Sequence, residues 1–279
     1  MGIRNLAYCI LDVAPLESPK RLEDRGNGHE RKDGKPVLQS WHRLAVSSKP
    51  KVVDEDVSSV KESFDPKTMS GVAYSLLRHR LLAMNPDIIL IERQRFRSMG
   101  SKHILEWTIR VNMFESIIYA TLHTLKAEGL WKGAVIPILP GKVGTFWIGD
   151  ENEFAKEEEK KGKEGTKKVR TSKNAKVRNK GAKIDLVKEW CESGEVVSWE
   201  NGQVEDMVGR YIEKWDAKPG RTKMKGDSVK DDGDSADEKK MGKLDDLADC
   251  LLQGVAWLEW EKNKRLISEK GYEALLGSE

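Results

Sequence analysis

Two short stretches, far apart in the chain, place carboxylates where a metal-dependent nuclease needs them. The first is Asp87-Ile88-Ile89-Leu90-Ile91-Glu92-Arg93-Gln94-Arg95-Phe96-Arg97, an apolar run that ends in an acid and then turns basic. The second is Lys243-Leu244-Asp245-Asp246-Leu247-Ala248-Asp249, which opens a helical pattern. Asp246 and Asp249 are three apart and Asp245 and Asp249 four apart, so either pair shares a helix face. Acids gathered this way repel one another unless a cation sits between them. Hard oxygen donors suit Mg²⁺. A carboxylate at the C-terminal end of a strand, facing a helical carboxylate pair, can hold two metals for in-line attack on a phosphodiester. Arg93, Arg95 and Arg97 with Phe96 would add phosphate contacts and a stacking surface at the mouth of such a site.

Each signal also has a plainer explanation. An acid at a strand end is ordinarily just solvated. Asp245 and Asp246 near a helix start can complement the helix dipole, an effect of about 0.3–1 kcal/mol. That account serves Asp249 less well, since it lies beyond the first turn among apolar neighbours. A dense run of Lys and Arg from Lys160 to Lys183 contains one acid, Glu164, and fits either a solvated loop or a DNA-backbone contact. Lys102, Arg110, Lys142 and Lys183 complete the set of candidate DNA-binding residues. The nine Trp are read as core or interface residues.

The elements that must position these groups follow from the pattern. A strand is expected over Ile3–Val13 and a second over Trp41–Val46, joined by a long charged loop from about Glu17 to Pro36. Val52-Val53 can seed a short third strand. Asp65-Pro66 is a helix start, with Asp at the N-cap and Pro at the first helical position. Val72, Leu76, Leu77 and Leu81 give that helix its apolar stripe, and Asn85-Pro86 ends it. Ile88–Glu92 reads as a central strand, apolar on both faces. A helix follows from about Ile104 to Ala127, then a strand over Ala134–Ile138, with Pro137 near an edge or an end. Helical periodicity returns over Ile184–Trp190, Val204–Trp215 and about Lys243–Ser268. Strands first, then alternating helices and strands, predict a mixed sheet with helices on its faces.

At 279 residues the chain fits one large domain or two small ones. With 38% hydrophobic and 34% charged residues, a globular core carrying polar insertions is expected. Residues 150–180 and 217–240 are the charged stretches expected to be mobile insertions without a core of their own. Three scattered cysteines exclude a disulfide framework or a zinc knuckle and fit a reducing compartment. No apolar run approaches the roughly 18 residues of a membrane span, and the N-terminus carries no signal-peptide or transit-peptide pattern.

Four motifs resemble the fungal mitochondrial Holliday-junction resolvases, relatives of bacterial RuvC within the RNase H-like superfamily. They are Met1-Gly2-Ile3-Arg4-Asn5-Leu6-Ala7-Tyr8-Cys9, Ile91-Glu92-Arg93-Gln94-Arg95-Phe96-Arg97-Ser98, Glu106-Trp107-Thr108-Ile109-Arg110-Val111-Asn112-Met113-Phe114-Glu115, and the stretch from Lys243 to Asp249. They run in order through most of the chain, apart from the charged insertions. The resemblance implies an α/β fold: one RNase H-like catalytic domain over 1–279, a mixed five-stranded sheet flanked by helices. It also implies a homodimer, paired nicking of four-way junction DNA, a mitochondrial address and no membrane. Two Mg²⁺ ions per site are implied, held by Glu92, Asp246 and Asp249 together with an Asp on the first strand. In the family that Asp directly precedes the residue matching Met1, so this chain does not contain it. Asp12 cannot replace it, being about 33 Å further along an extended strand. The reading therefore expects a start placed at an internal Met, or else a truncated paralogue. Alignment favours Asp246 with Asp249, whereas the four-residue spacing favours Asp245 with Asp249. The rival functions are a branched-DNA binder that does not cut, and an RNase H-like nuclease with another substrate. If the site forms, the carboxylates of Glu92, Asp246 and Asp249 should lie within about 4–8 Å of one another.

Overall fold

A computed structural model describes residues 3, 5–13, 35–46, 63–94, 104–149, 171–217 and 244–276, with the backbone alone over 171–178. They fall into two compact units, one drawn from Met1–Ala7 and Arg43–Lys142, the other from Tyr8–His42 and Val143–Glu279.

The first unit is built around a parallel strand–helix–strand crossover. Its leading helix, α1 (Pro66–Leu76), begins as the sequence predicts. Asp65 Oδ1 accepts the Thr68 N–H at 3.0 Å and Pro66 occupies the first turn. Hydrogen bonds from Ser63 and Thr68 hold the Asp65 carboxyl well below the usual carboxylate range. The helix widens to a π turn over Leu77–Leu81, tightens to a 3₁₀ turn over Leu82–Met84, and ends at Asn85 in the left-handed region, φ 46°. Asn tolerates that conformation better than most residues, and Pro86 follows it. Strand β3 (Ile88–Glu92) then pairs in parallel with β4 (Ala134–Ile138), in register from Ile88–Ala134 to Glu92–Ile138. The crossover between them is α2 (Glu106–Ala127). Parallel strands need such a connection. Phe114, Ile118, Leu122 and Leu125 of α2 pack with Met69, Ala73, Leu76 and Leu77, and with Ile91 of β3. Trp131 closes the base of this core and donates its indole N–H to Pro86 O at 2.7 Å.

The second unit is mainly helical. Strands β1 (Leu6–Asp12) and β2 (Val37–Leu44) form a two-stranded sheet, most of which belongs here. Ser198 extends β2 by bonds to Pro36 and Leu38. The helices are α3 (Pro140–Ile148), α4 (Thr171–Ser193), α5 (Gly202–Asp216), α6 (Leu244–Lys270) and α7 (Glu273–Leu276). Helix α6 buries Leu244, Leu247, Leu251 and Val255, a stripe at helical spacing. Aromatics fasten it with their polar atoms: buried Trp41 donates to Leu247 O at 3.1 Å, and partly buried Trp147 to Leu252 O at 3.0 Å. Tyr211 of α5 donates to Ile184 O of α4 at 3.2 Å. Such donors are normally satisfied when buried.

Besides β2, which starts at Val37 and not at Trp41, three features differ from the sequence reading. The mixed α/β class holds, but the described strands form two two-stranded sheets, not one of five strands. Helix α4 reaches back to Thr171, into the stretch read as an insertion. Its buried apolar anchors among the described residues are Ile184, Val187, Trp190 and Cys191, and the basic first half carries no periodic signal in the sequence. Helix α3 has no counterpart in the sequence reading, because Pro140, Gly141 and Gly144 are turn signals that mask one buried residue, Val143. Val52-Val53, residues 150–170 and residues 218–240 lie outside the described residues.

Candidate metal and nucleic-acid site

In the first unit Glu92 is the last residue of β3, at the C-terminal end of a parallel pair. The turn after it is held by three contacts. Arg93 N–H donates to Ile138 O at 2.8 Å, and the Gln94 side-chain amide donates to Glu92 O at 3.0 Å. Gln94 N–H lies 3.4 and 3.3 Å from the two carboxylate oxygens of Glu115, which reaches across from α2. Burial pushes the Glu115 carboxyl up, and the neighbouring Glu92 charge adds to that; the Gln94 N–H and the Arg93 charge oppose it. Burial, then the Glu115 charge, likewise raises the Tyr119 phenol. Arg93 and Lys142 are exposed. Arg110 lies 4.3 Å from the Phe64 ring centroid and pairs with Glu106 one turn earlier. Arg95, Phe96, Arg97 and Lys102 lie outside the described residues.

In the second unit the acids stand at the start of α6, with Asp245 and Asp246 in its first turn. Helix α4 answers them with a ladder of lysines. Lys180 Nζ is 2.5 Å from Asp245 Oδ2, and Lys183 Nζ is 2.9 Å from Asp249 Oδ1. Both rungs rise in number together, so the facing turns of α4 and α6 run in the same direction. The four-apart pair therefore faces α4. Asp246 keeps its Oδ2 below the surface. Lys183 belongs here as the partner of an acid, the role the sequence least foresaw for it. Lys180 and Glu115 were not singled out by sequence reasoning. The three-residue spacing of Lys180 and Lys183 against the four-residue spacing of Asp245 and Asp249 was a usable signal for the first. The place of Glu115 at the end of a recognisable motif was a signal for the second.

Glu92 thus belongs to one unit and Asp245, Asp246 and Asp249 to the other. Within neither unit do three or more His, Cys, Asp or Glu side chains among the described residues gather as metal ligands. The donors are carboxylates, the hard oxygen set that Mg²⁺ takes in preference to softer ligands. The chemistry of the residues present therefore fits that ion. Cys9, Cys191 and Cys250 are free thiols, and burial pushes Cys191 up to about 12. No described helix is long and apolar enough to cross a membrane.

A family model described as mitochondrial resolvase Ydc2 / RNA splicing MRS1 matches residues 1–267. A protein named cruciform cutting endonuclease 1, mitochondrial, from Schizosaccharomyces pombe is 24% identical over 265 residues, covering 94% of this chain and 76% of its own. Its namesake from Saccharomyces cerevisiae is 28% identical over 239 residues, covering 79% of this chain and 64% of its own. The crystal structure of the yeast mitochondrial Holliday junction resolvase Ydc2 superposes with a TM-score of 0.52 at 20% identity. That superposition covers 99% of this chain and 82% of the other, which shows a shared fold.

Proposed function

The chain belongs to the mitochondrial resolvase Ydc2 / RNA splicing MRS1 family, and on that premise we propose that it is a structure-specific endonuclease that resolves four-way DNA junctions in mitochondria. The observation that carries this reading is the single family match over residues 1–267, which takes in both the strand-end acid and the helical acids. The names of both curated relatives, which include a mitochondrial address, support it. The fold we propose is RNase H-like, and its support is a parallel β3–α2–β4 unit with an acid at the strand end. The working form is a homodimer, whose two-fold symmetry would match that of a junction. Leu105 and Ile109, one turn apart at the start of α2 and 70% and 55% exposed, are the apolar surface we assign to a second copy.

Glu92, Asp246 and Asp249 are the residues assigned to Mg²⁺, with Asp245 the alternative to Asp246. When bound, two such ions supply an activated water and stabilise the leaving oxygen. The chain's own part is to hold the carboxylates at fixed points and to grip the phosphates on either side. Arg93 and Lys142 are exposed and suited to that grip. Lys183 would pass from Asp249 to a phosphate as a cation takes its place. Arg95, Phe96, Arg97 and Lys102 are assigned to the same DNA contacts from the sequence alone.

A second reading, a branched-nucleic-acid binder that does not cut, has specific observations in its favour. The family description includes an RNA-splicing protein, and among the described residues no three His, Cys, Asp or Glu side chains of either unit gather as metal ligands. Single-turnover cleavage of a four-way junction in Mg²⁺, beside a linear duplex and an RNA–DNA hybrid, separates the readings. Cutting confined to the junction is expected. Glu92→Gln or Asp249→Asn should slow it by about 10³-fold, roughly 4 kcal/mol of barrier, with binding retained. Tight junction binding without any cleavage would establish the second reading instead.

A further inference from the structure

We propose that Glu115 is a positioning residue for Glu92: from the middle of α2 its carboxylate accepts the Gln94 N–H and so fixes the turn in which β3 ends. The ladder between β3 and β4 reaches its last rung at Glu92 and Ile138, and the Ile138 carbonyl is taken by Arg93 N–H. Gln94 N–H is the next donor along the chain. A helix side chain accepts it, not a strand, and both carboxylate oxygens share it at 3.3 and 3.4 Å. The Gln94 side chain turns back to Glu92 O at 3.0 Å. The residue after the acid is thus tied to β4, and the next is tied both to α2 and to the acid's own carbonyl. A carboxylate that must meet a metal within a fraction of an ångström needs this kind of support.

The composition of α2 makes the case stronger. Glu115 sits between Phe114, which is fully buried, and Ile118 on the same core-facing side. It is itself partly buried, near the like charge of Glu92. An apolar residue would fill that place with neither burial nor repulsion to overcome. What a carboxylate adds there, and an apolar side chain cannot, is an acceptor for the turn. The structural part of this inference stands on the first unit alone. Its consequence for cutting rests on the nuclease function proposed above.

The test uses the full chain with Glu115→Met, which keeps length and helix propensity but removes the acceptor, and Glu115→Gln, which keeps one acceptor oxygen. Three quantities are measured: hydrogen exchange at the Gln94 amide, junction affinity in Ca²⁺, and single-turnover cleavage in Mg²⁺. The Met variant should exchange at Gln94 at least about ten times faster and cut about 10–100-fold more slowly, the usual range for a supporting contact, with affinity nearly unchanged. The Gln variant should restore exchange and cutting to within about three-fold, because its acceptor remains. Unchanged exchange in the Met variant overturns the proposal. So does a Gln variant as slow to cut as Met, which would make the charge of Glu115 the functional element. If the parent chain does not cut at all, the nuclease reading fails, and exchange with its rescue by Gln still decides the role of Glu115.

Discussion

The two acid-bearing regions are held by different means. At the end of β3 the groups around Glu92 are backbone amides and a helix carboxylate, fixed by a parallel ladder and a packed helix. At the start of α6 they are lysine ammonium groups on flexible stems, and Lys180 is half exposed. The first arrangement is preorganised and yields little. The second can be exchanged, because each pair keeps one partner about half exposed, and such pairs contribute on the order of 1 kcal/mol and weaken with salt. At α6 the acids already have lysine partners, whereas at β3 the backbone on either side of Glu92 is tied to β4 and to α2. One region supplies geometry and the other supplies charge that can be traded.

The sharpest way to break this contrast uses two glycines. A Cβ added at Gly133, just before β4, would lie 2.6 Å from Asp87 O and run into the Trp131 ring. A Cβ added at Gly254, inside α6, would lie 2.8 Å from Leu11 Cδ1, the end of a flexible side chain. Gly133→Ala should therefore destabilise by about 2–3 kcal/mol, since a laddered backbone carbonyl has nowhere to go. Gly254→Ala should change stability by less than about 1 kcal/mol, because the better helix propensity of Ala offsets the crowding. Denaturant unfolding of both variants measures this. The reverse order would mean that the helical region is the rigid one.

The same contrast explains what the sequence could reveal. Where local chemistry fixes structure, the reading was close. Asp65-Pro66 capped α1, Asn85-Pro86 stopped it, and the apolar run Ile88–Glu92 is β3 to the residue. The stripe of Leu247, Leu251 and Val255 correctly marked α6. Where tertiary contacts decide, it was not. The basic half of α4 has no apolar period of its own, and α3 hides behind Pro140 and two glycines. The acids of α6 drew notice through their three- and four-residue spacing on one helix face, and two of them meet lysines of α4. Lys180 and Glu115 did not, since nothing local distinguishes a lysine that meets an acid from one that meets water. Arg95, Phe96 and Arg97 lie outside the described residues, so the basic rim rests on the sequence.

A smaller effect follows from the lysine ladder. Removing both ammonium groups with Lys180→Met and Lys183→Met should leave Asp245 and Asp249 more open to a divalent cation. Mg²⁺ affinity should rise by up to about five-fold, the equivalent of roughly 1 kcal/mol for exchangeable pairs, while stability changes by less than that. Calorimetric Mg²⁺ titration at low salt checks it. At about 1 M salt, where exposed charges are screened beyond about 3 Å, the difference should shrink. Affinity that fell instead would mean the lysines organise the acids, making the second region as preorganised as the first.

The smallest expected effect separates the regions by pH. Burial is the main cause that raises the Glu115 carboxyl above its ordinary value of 4.5. Below that value the acid is protonated in both folded and unfolded chains, and its burial carries no charge penalty. As pH climbs from there through the raised folded value, the unfolded chain ionises first, so the stability this group contributes is lost. Glu115→Gln cannot ionise, and it keeps an acceptor for Gln94 N–H. The variant should thus match the parent near pH 4 and exceed it at pH 7. The gain should be only about a few tenths of a kcal/mol, because the group is only partly buried and the Gln94 N–H and the Arg93 charge oppose the shift. Unfolding free energies at the two pH values give the difference directly. A parent that gained on the variant as pH rose would show that the Gln94 N–H and Arg93 outweigh burial, and that the β3 end stabilises its carboxylates by charge, as the α6 face does.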